Sequence, residues 1–207
     1  MTLVIAAACC GALLQPRGAQ AAVDVTVEPP NVSIVEFDRR APPRDMPTVG
    51  ADGGAVCSNV FEIEATIESS VEALSATTVR VFPERFEIKT RLKVTIYLPS
   101  GSPAKLRAHE EGHRAIGEHY YGTADSAARE ASASLHGRAF EADGADRSAA
   151  EQAAGTLVLA ALKDEFMQRT HARSAAANTR YDALTDHGRN AIAEADAIAR
   201  VLAEDPL

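Results

Sequence analysis

Polar and apolar residues alternate along the first half of the chain, and the spacing then changes to that of a helix. Residues 23–28 and 32–37 carry β-branched residues at alternate positions, and Pro29-Pro30 separates them, so two strands are predicted there. Residues 38–54, rich in Pro, Gly, Arg and Asp, read as a loop. Over residues 60–68, Phe61, Ile63, Ala65 and Ile67 fall on one side and acidic residues on the other, the pattern of a half-buried strand. Residues 77–82 form a further short strand before Pro83. Residues 86–98 form a long one, with Phe86, Ile88, Leu92, Val94 and Ile96 on one face and Lys89, Arg91 and Lys93 on the other.

From residue 104 to about residue 141 the chain is free of proline and reads as one helix, with Ser102 as its candidate N-cap and Pro103 in its first turn. At about 100° per residue, Leu106, His109, His113, Ile116, Tyr120, Ala124, Ala127 and Ala131 share a face. The alanine end of this stripe lets another helix approach closely, and residues 149–170, with Leu157, Leu159, Leu162 and Phe166, are the expected partner. A last helix is expected over residues 190–203. Strands precede helices, which gives an α+β fold: an N-terminal antiparallel β-sheet in residues 22–100, followed by about three helices in residues 101–207, together one domain.

Chemistry concentrates in His109-Glu110-Glu111-Gly112-His113, an H-E-x-x-H motif. Histidines four apart stand one above the other on a helix face, so both can bind a single metal ion. Glu110, about 100° round from His109, can reach water at the open position without being a ligand. Two nitrogens, a carboxylate base and an open coordination position are the requirements of a zinc peptidase. Zinc needs a third protein ligand, and two histidines compete for that place. His119 has the spacing of the metzincin signature, but the glycine that would turn the chain falls one place late, at Gly117. In an unbroken helix, six residues advance about 600°, so His119 points roughly 120° away from His113. His187 sits on an expected turn beside Gly188 and has no such conflict; it is the expected third ligand.

Composition narrows the classes. The chain has 207 residues, 46% hydrophobic and 24% charged, which fits a globular domain. The net charge of −8, without a basic patch, argues against nucleic acid as a partner. Residues 2–14 are an apolar run shorter than the roughly 20 residues of a membrane span, and Ala19-Gln20-Ala21 follows with an A-x-A cleavage pattern. Residues 1–21 therefore read as a signal peptide and the protein as periplasmic or extracellular, with no stable membrane span. A lipid-modified Cys9 or Cys10 is the weaker alternative. After cleavage Cys57 is the remaining cysteine, expected as a small buried residue beside a strand rather than a nucleophile. Glu118, His136 and His171 read as surface residues.

The second motif is Tyr181-Asp-x-x-Thr-x-His-Gly188, expected between two helices. Together with the H-E-x-x-H helix and the strand-rich half before it, this stretch resembles a family of exported bacterial proteins described as zinc-dependent proteases, long treated as a domain of unknown function. The resemblance covers residues from about 57 to about 203 and implies a zincin-like fold and peptidase activity, without naming a substrate. The expected function is then a secreted zinc metallopeptidase acting on a peptide or protein substrate. Zn2+ sits on His109, His113 and His187, and Glu110 is the general base. Tyr181 is a candidate donor to the oxyanion, and Asp182 or Asp186 could orient a ligand imidazole. Two rivals remain open: a non-catalytic exported binding protein with a structural or vestigial zinc, and a helical interaction module with accidental histidines.

Overall fold

The structure is a computed structural model and describes residues 22–47 and 54–205; the expected signal peptide lies outside the described residues. Its elements, in order, are β1 (Ala22–Val27), β2 (Asn31–Phe37), β3 (Val56–Ala73), β4 (Thr78–Pro99), α1 (Ala104–Tyr121), α2 (Ala124–Leu135), β5 (Phe140–Asp143), α3 (Arg147–Arg169), α4 (His171–Thr185) and α5 (Glu194–Ala203). The α+β class holds, but the sheet differs from the antiparallel one expected. The five strands form one sheet in which β4 pairs with each of the others. Both β1 and β2 run parallel to β4, Val25 opposite Ile88 and Ile34 opposite Ile96, while β5 pairs antiparallel with its start. The sheet is therefore mostly parallel. Alternation places side chains on faces but carries no information on strand direction, which is set by the path of the chain between β2 and β4.

The chain divides into two compact units, and the division cuts through both its strand-rich and its helical halves. Among the described residues, the first unit comprises Ala22–Val27, Ile63–Thr90 and Asp125–Met167. Within it the β4 segment buries Val79, Val81, Phe86 and Ile88, with the buried phase switching at Glu84-Arg85. The first residues of β4, Thr78–Val81, pair with β5, whose start the expected long helix had absorbed. The alanines Ala127, Ala128 and Ala131 of α2 are buried here, as are Ala154, Val158 and Leu162 of α3.

The second unit comprises Glu28–Glu62, Arg91–Ala124 and Gln168–Leu207, and it holds both motifs. In it the end of β4 buries Leu92, Val94, Ile96 and Leu98. The expected single helix of residues 104–141 is interrupted after Tyr121, where the N–H of Gly122 and the N–H and hydroxyl of Thr123 turn back onto carbonyls of the last turn. Ser102 does not cap α1: its hydroxyl donates to the Pro99 carbonyl at 2.6 Å, and Pro103 occupies the cap position. The helices packed on α1 are α4 and α5. Ile116 and Tyr120 of α1, Ala177 and Tyr181 of α4, and Ala197 and Val201 of α5 form their shared core. No helix among the described residues is long and apolar enough to cross a membrane.

Candidate metal centre

The helical phase of α1 presents His109 and His113 to α4, and both are largely withdrawn from solvent, with side chains 3% and 12% exposed. Their Nε2 atoms lie 3.2 Å apart. Asp182, on the last turn of α4, brings its Oδ1 to 3.2 Å from His109 Nε2 and 3.1 Å from His113 Nε2. These three residues are the group among the described residues whose donor atoms converge closely enough to hold a metal ion.

The proton positions explain why that convergence matters. His113 Nδ1 is 2.7 Å from Asn178 Oδ1, and the Asn178 amide is oriented by its own Nδ2, which donates to the Ser174 carbonyl at 2.9 Å. The Asn178 oxygen thus faces the ring, so Nδ1 carries the proton and Nε2 presents a lone pair. His109 Nδ1 lies 3.4 Å from Thr185 Oγ1, whose hydroxyl donates to the Tyr181 carbonyl at 2.7 Å. Thr185 is therefore an acceptor for Nδ1–H, and His109 also turns a lone pair inward. Two imidazole lone pairs and a carboxylate oxygen face one another with no donor between them, an arrangement that a cation stabilises. Tetrahedral zinc, with bonds of about 2.0–2.1 Å, separates its ligands by about 3.3 Å, close to the observed spacings.

Without a cation, the imidazoles and Asp182 hold one another by charge, with a proton on His113 Nε2 in the protonated ring. Burial works to lower the His113 pKa, yet the hydrogen bond and charge of Asp182 raise it overall. Burial would raise Asp182, but the two imidazoles hold its carboxyl well below the usual carboxylate range. Glu110 is 4% exposed. Burial pushes its pKa up against the pull of His113 and His109, a backbone hydrogen bond from Cys57 anchors it, and its Oε2 has no partner. A buried carboxylate oxygen without a partner beside a converging ligand set is ready for a proton. These groups line a cleft of about 700 Å³ that Val56, Cys57 and Asn59 of β3, Leu106 of α1, and His187 and Arg189 also border.

Tyr181 forms the floor. Its ring stacks on His109, centroids 4.9 Å apart and 10° from parallel, and stands edge-on to His113. It is fully buried, and its hydroxyl donates to Glu194 of α5 and lies 3.3 Å from the His109 carbonyl. A side chain at residue 112 would overlap that hydroxyl, so Gly112 is the residue that lets the tyrosine pass under α1. On the other side, Asn59 fills the space over Gly117 and donates to the His113 carbonyl at 3.1 Å.

His187 is placed differently from the expectation. Its Nδ1 lies 3.3 Å from Asp182 Oδ1, the ring is 61% exposed, and it stands outside the converging trio. Tyr181 and Asp182 are in α4 rather than in a turn; the turn begins at Asp186, where Asp186, His187 and Gly188 take φ values of 50°, 51° and 75°. Consecutive left-handed residues are unfavourable outside glycine. Here they swing the chain back over His109, and a Cβ on Gly188 would come within 2.9 Å of the His109 Cβ. Asp186 pairs with Arg189 at 2.9 Å. His119 stays on α1, partly buried with its ring edge-on to Tyr120, away from the trio. Burial, reinforced by Glu110 and Glu111, pushes the Cys57 thiol far up, which keeps it protonated and poorly nucleophilic.

Ser174, Asn178 and Glu194 were not singled out in the sequence, and Thr185 stood there only as a position of the second motif. Ser174, Asn178 and Asp182 do form a polar line at four-residue intervals along α4, a signal legible to the eye once a helix is assigned there. Comparison with protein-family models, with curated proteins and with solved structures finds no match to this chain.

Proposed function

We propose that this protein is an exported metal-dependent peptidase, with zinc held by His109, His113 and Asp182. The observation that carries the reading is the meeting of two imidazole lone pairs with a carboxylate oxygen at mutual distances of 3.1–3.2 Å, beside a buried Glu110 with an unpartnered oxygen. When bound, zinc supplies Lewis acidity and lowers the pKa of water to about 7. Glu110 Oε2 takes the proton from the attacking water, whose oxygen bonds to the peptide carbonyl carbon. As the C–N bond breaks, Glu110 gives that proton to the leaving amine. Asn178 and Thr185 hold the two rings in the tautomer that turns Nε2 inward. Tyr181 supports His109 from beneath, and we assign it to positioning rather than to the oxyanion, because its hydroxyl is committed to Glu194. His187 orients Asp182 from the solvent side, which exchanges the roles first expected for these two residues.

Three converging protein ligands leave a coordination position open, whereas a purely structural zinc uses four. That favours the peptidase over the binding protein with a structural metal. The resemblance of the two motifs to exported zinc-dependent proteases supports both the activity and the export. The test is zinc content at one site per chain, followed by hydrolysis of a mixed peptide library with and without chelator. No metal at this site, or hydrolysis that chelation leaves intact, refutes the reading.

A further inference from the structure

We propose that the cleft selects peptides carrying a carboxylate and that Arg39 binds it; this rests on the peptidase reading and names its substrate class. Arg39 lines the cleft that holds the metal ligands. Its backbone is fixed in the turn that leaves β2: the Asp38 carbonyl accepts from the Ala41 N–H at 2.8 Å, and Asp38 Oδ1 accepts from the Arg40 N–H at 2.9 Å. The β2 end of that turn is itself tied down, because the Ser100 N–H donates to the Phe37 carbonyl at 2.8 Å. The guanidinium stands exposed on this fixed base.

Apart from Glu110, whose Oε2 is buried without a partner, the other charged groups on the cleft wall are already engaged. Arg189 is paired with Asp186 at 2.9 Å. The carboxylates lining the cleft are Asp182, held by imidazoles, and Glu110, buried and anchored through Cys57. Among the described residues, no carboxylate on the cleft wall pairs with Arg39. The chain as a whole carries −8, yet the cleft wall presents the guanidinium of Arg39. A planar guanidinium matches a carboxylate in a two-point hydrogen bond, and such a bond in a cleft is stronger than an ordinary surface pair. The carboxylate has two possible sources in a peptide, its C-terminus or an acidic side chain, and the chemistry of recognition is the same for both.

The experiment uses the zinc-loaded chain carrying Glu110→Gln, which prevents turnover, and reads binding by calorimetry. One pair of N-acetylated tripeptides differs only in a free or amidated C-terminus. A second pair, amidated, differs only in aspartate or asparagine. The acid member of at least one pair should bind about tenfold more tightly. Adding Arg39→Gln should abolish that preference, and Arg39→Lys should retain part of it. Arg39 is exposed, so zinc content and thermal unfolding of these variants should match the parent. A preference seen only in the first pair identifies the C-terminus; one seen in the second identifies an acidic side chain; either supports the proposal. Equal binding within both pairs, no binding of any of these peptides, or a preference that survives Arg39→Gln overturns it, the last because the metal is then taking the carboxylate. Failure of the peptidase reading is distinct: it appears as a chain that takes up no zinc.

Discussion

Asn178→Ala gives a direct measure of whether the imidazoles are arranged for a metal. The substitution keeps α4, since alanine is the best helix former, and removes one acceptor from His113 Nδ1. Its consequences differ between the two states of the protein. Without metal, His113 can move its proton to Nε2 and donate to Asp182 Oδ1, 3.1 Å away. With metal bound, Nε2 is engaged and Nδ1–H is left without a partner in a side chain only 12% exposed. An unsatisfied buried donor costs about 1–3 kcal/mol, which here falls on the metal-bound state and weakens zinc roughly 5- to 150-fold. Loss of partners behind a metal-bound histidine falls in the same range. Competition with a chelator of known affinity reads the change, and the absorption bands of the cobalt-substituted protein report ligand geometry. Zinc affinity within twofold of the parent, or an equal loss of stability in metal-free and metal-bound chains, would refute the tautomer argument.

Other outcomes follow from the same geometry. Glu110→Gln should retain zinc and lose hydrolysis by at least about a hundredfold, checked by metal analysis and single-turnover assays. Tyr181→Phe removes the hydroxyl shared with Glu194 and the His109 carbonyl, and should lower unfolding stability by about 1–3 kcal/mol in urea while sparing most of the turnover; a collapse of turnover with unchanged stability would return Tyr181 to the oxyanion. Gly188→Ala, at φ +75° and against His109, should destabilise the chain by about 1–3 kcal/mol and weaken zinc. In the metal-free protein, the depressed pKa of Asp182 contributes stability that is present above its unfolded value near 4 and disappears as pH falls through the folded value. Asp182→Asn should flatten that acid limb of the denaturation curve.

The H-E-x-x-H spacing on a helix was readable because helical geometry alone places its two histidines together, and the structure keeps them so. The remainder of the site depended on where α4 ends. Reading residues 181–188 as one loop made His187 the candidate ligand and Asp182 its orienting partner. With α4 continuing through Thr185, Asp182 comes in line with Asn178 and Ser174, and the left-handed turn begins one residue later. Nothing in residues 104–141 showed the end of α1 either, because its break uses Gly122 and the Thr123 hydroxyl rather than a proline. The sheet faces were legible from alternation over residues 86–98, whereas the parallel direction of β1 and β2 depends on connections whose path alternation does not encode.

The ligand set also joins distant parts of the chain. His113 and Asp182 are separated by 69 positions, one on α1 and the other on α4, and among the described residues Cys57 is free, so no disulfide is drawn across this interval. An ion held by both helices closes a long loop as a cross-link does, but reversibly and in proportion to its supply. At a free concentration a thousand times its dissociation constant, such an ion adds about 4 kcal/mol to the folded state. With an ion bound there, the cohesion of these helices would follow the metal content of the surroundings, and a chelator would loosen the protein.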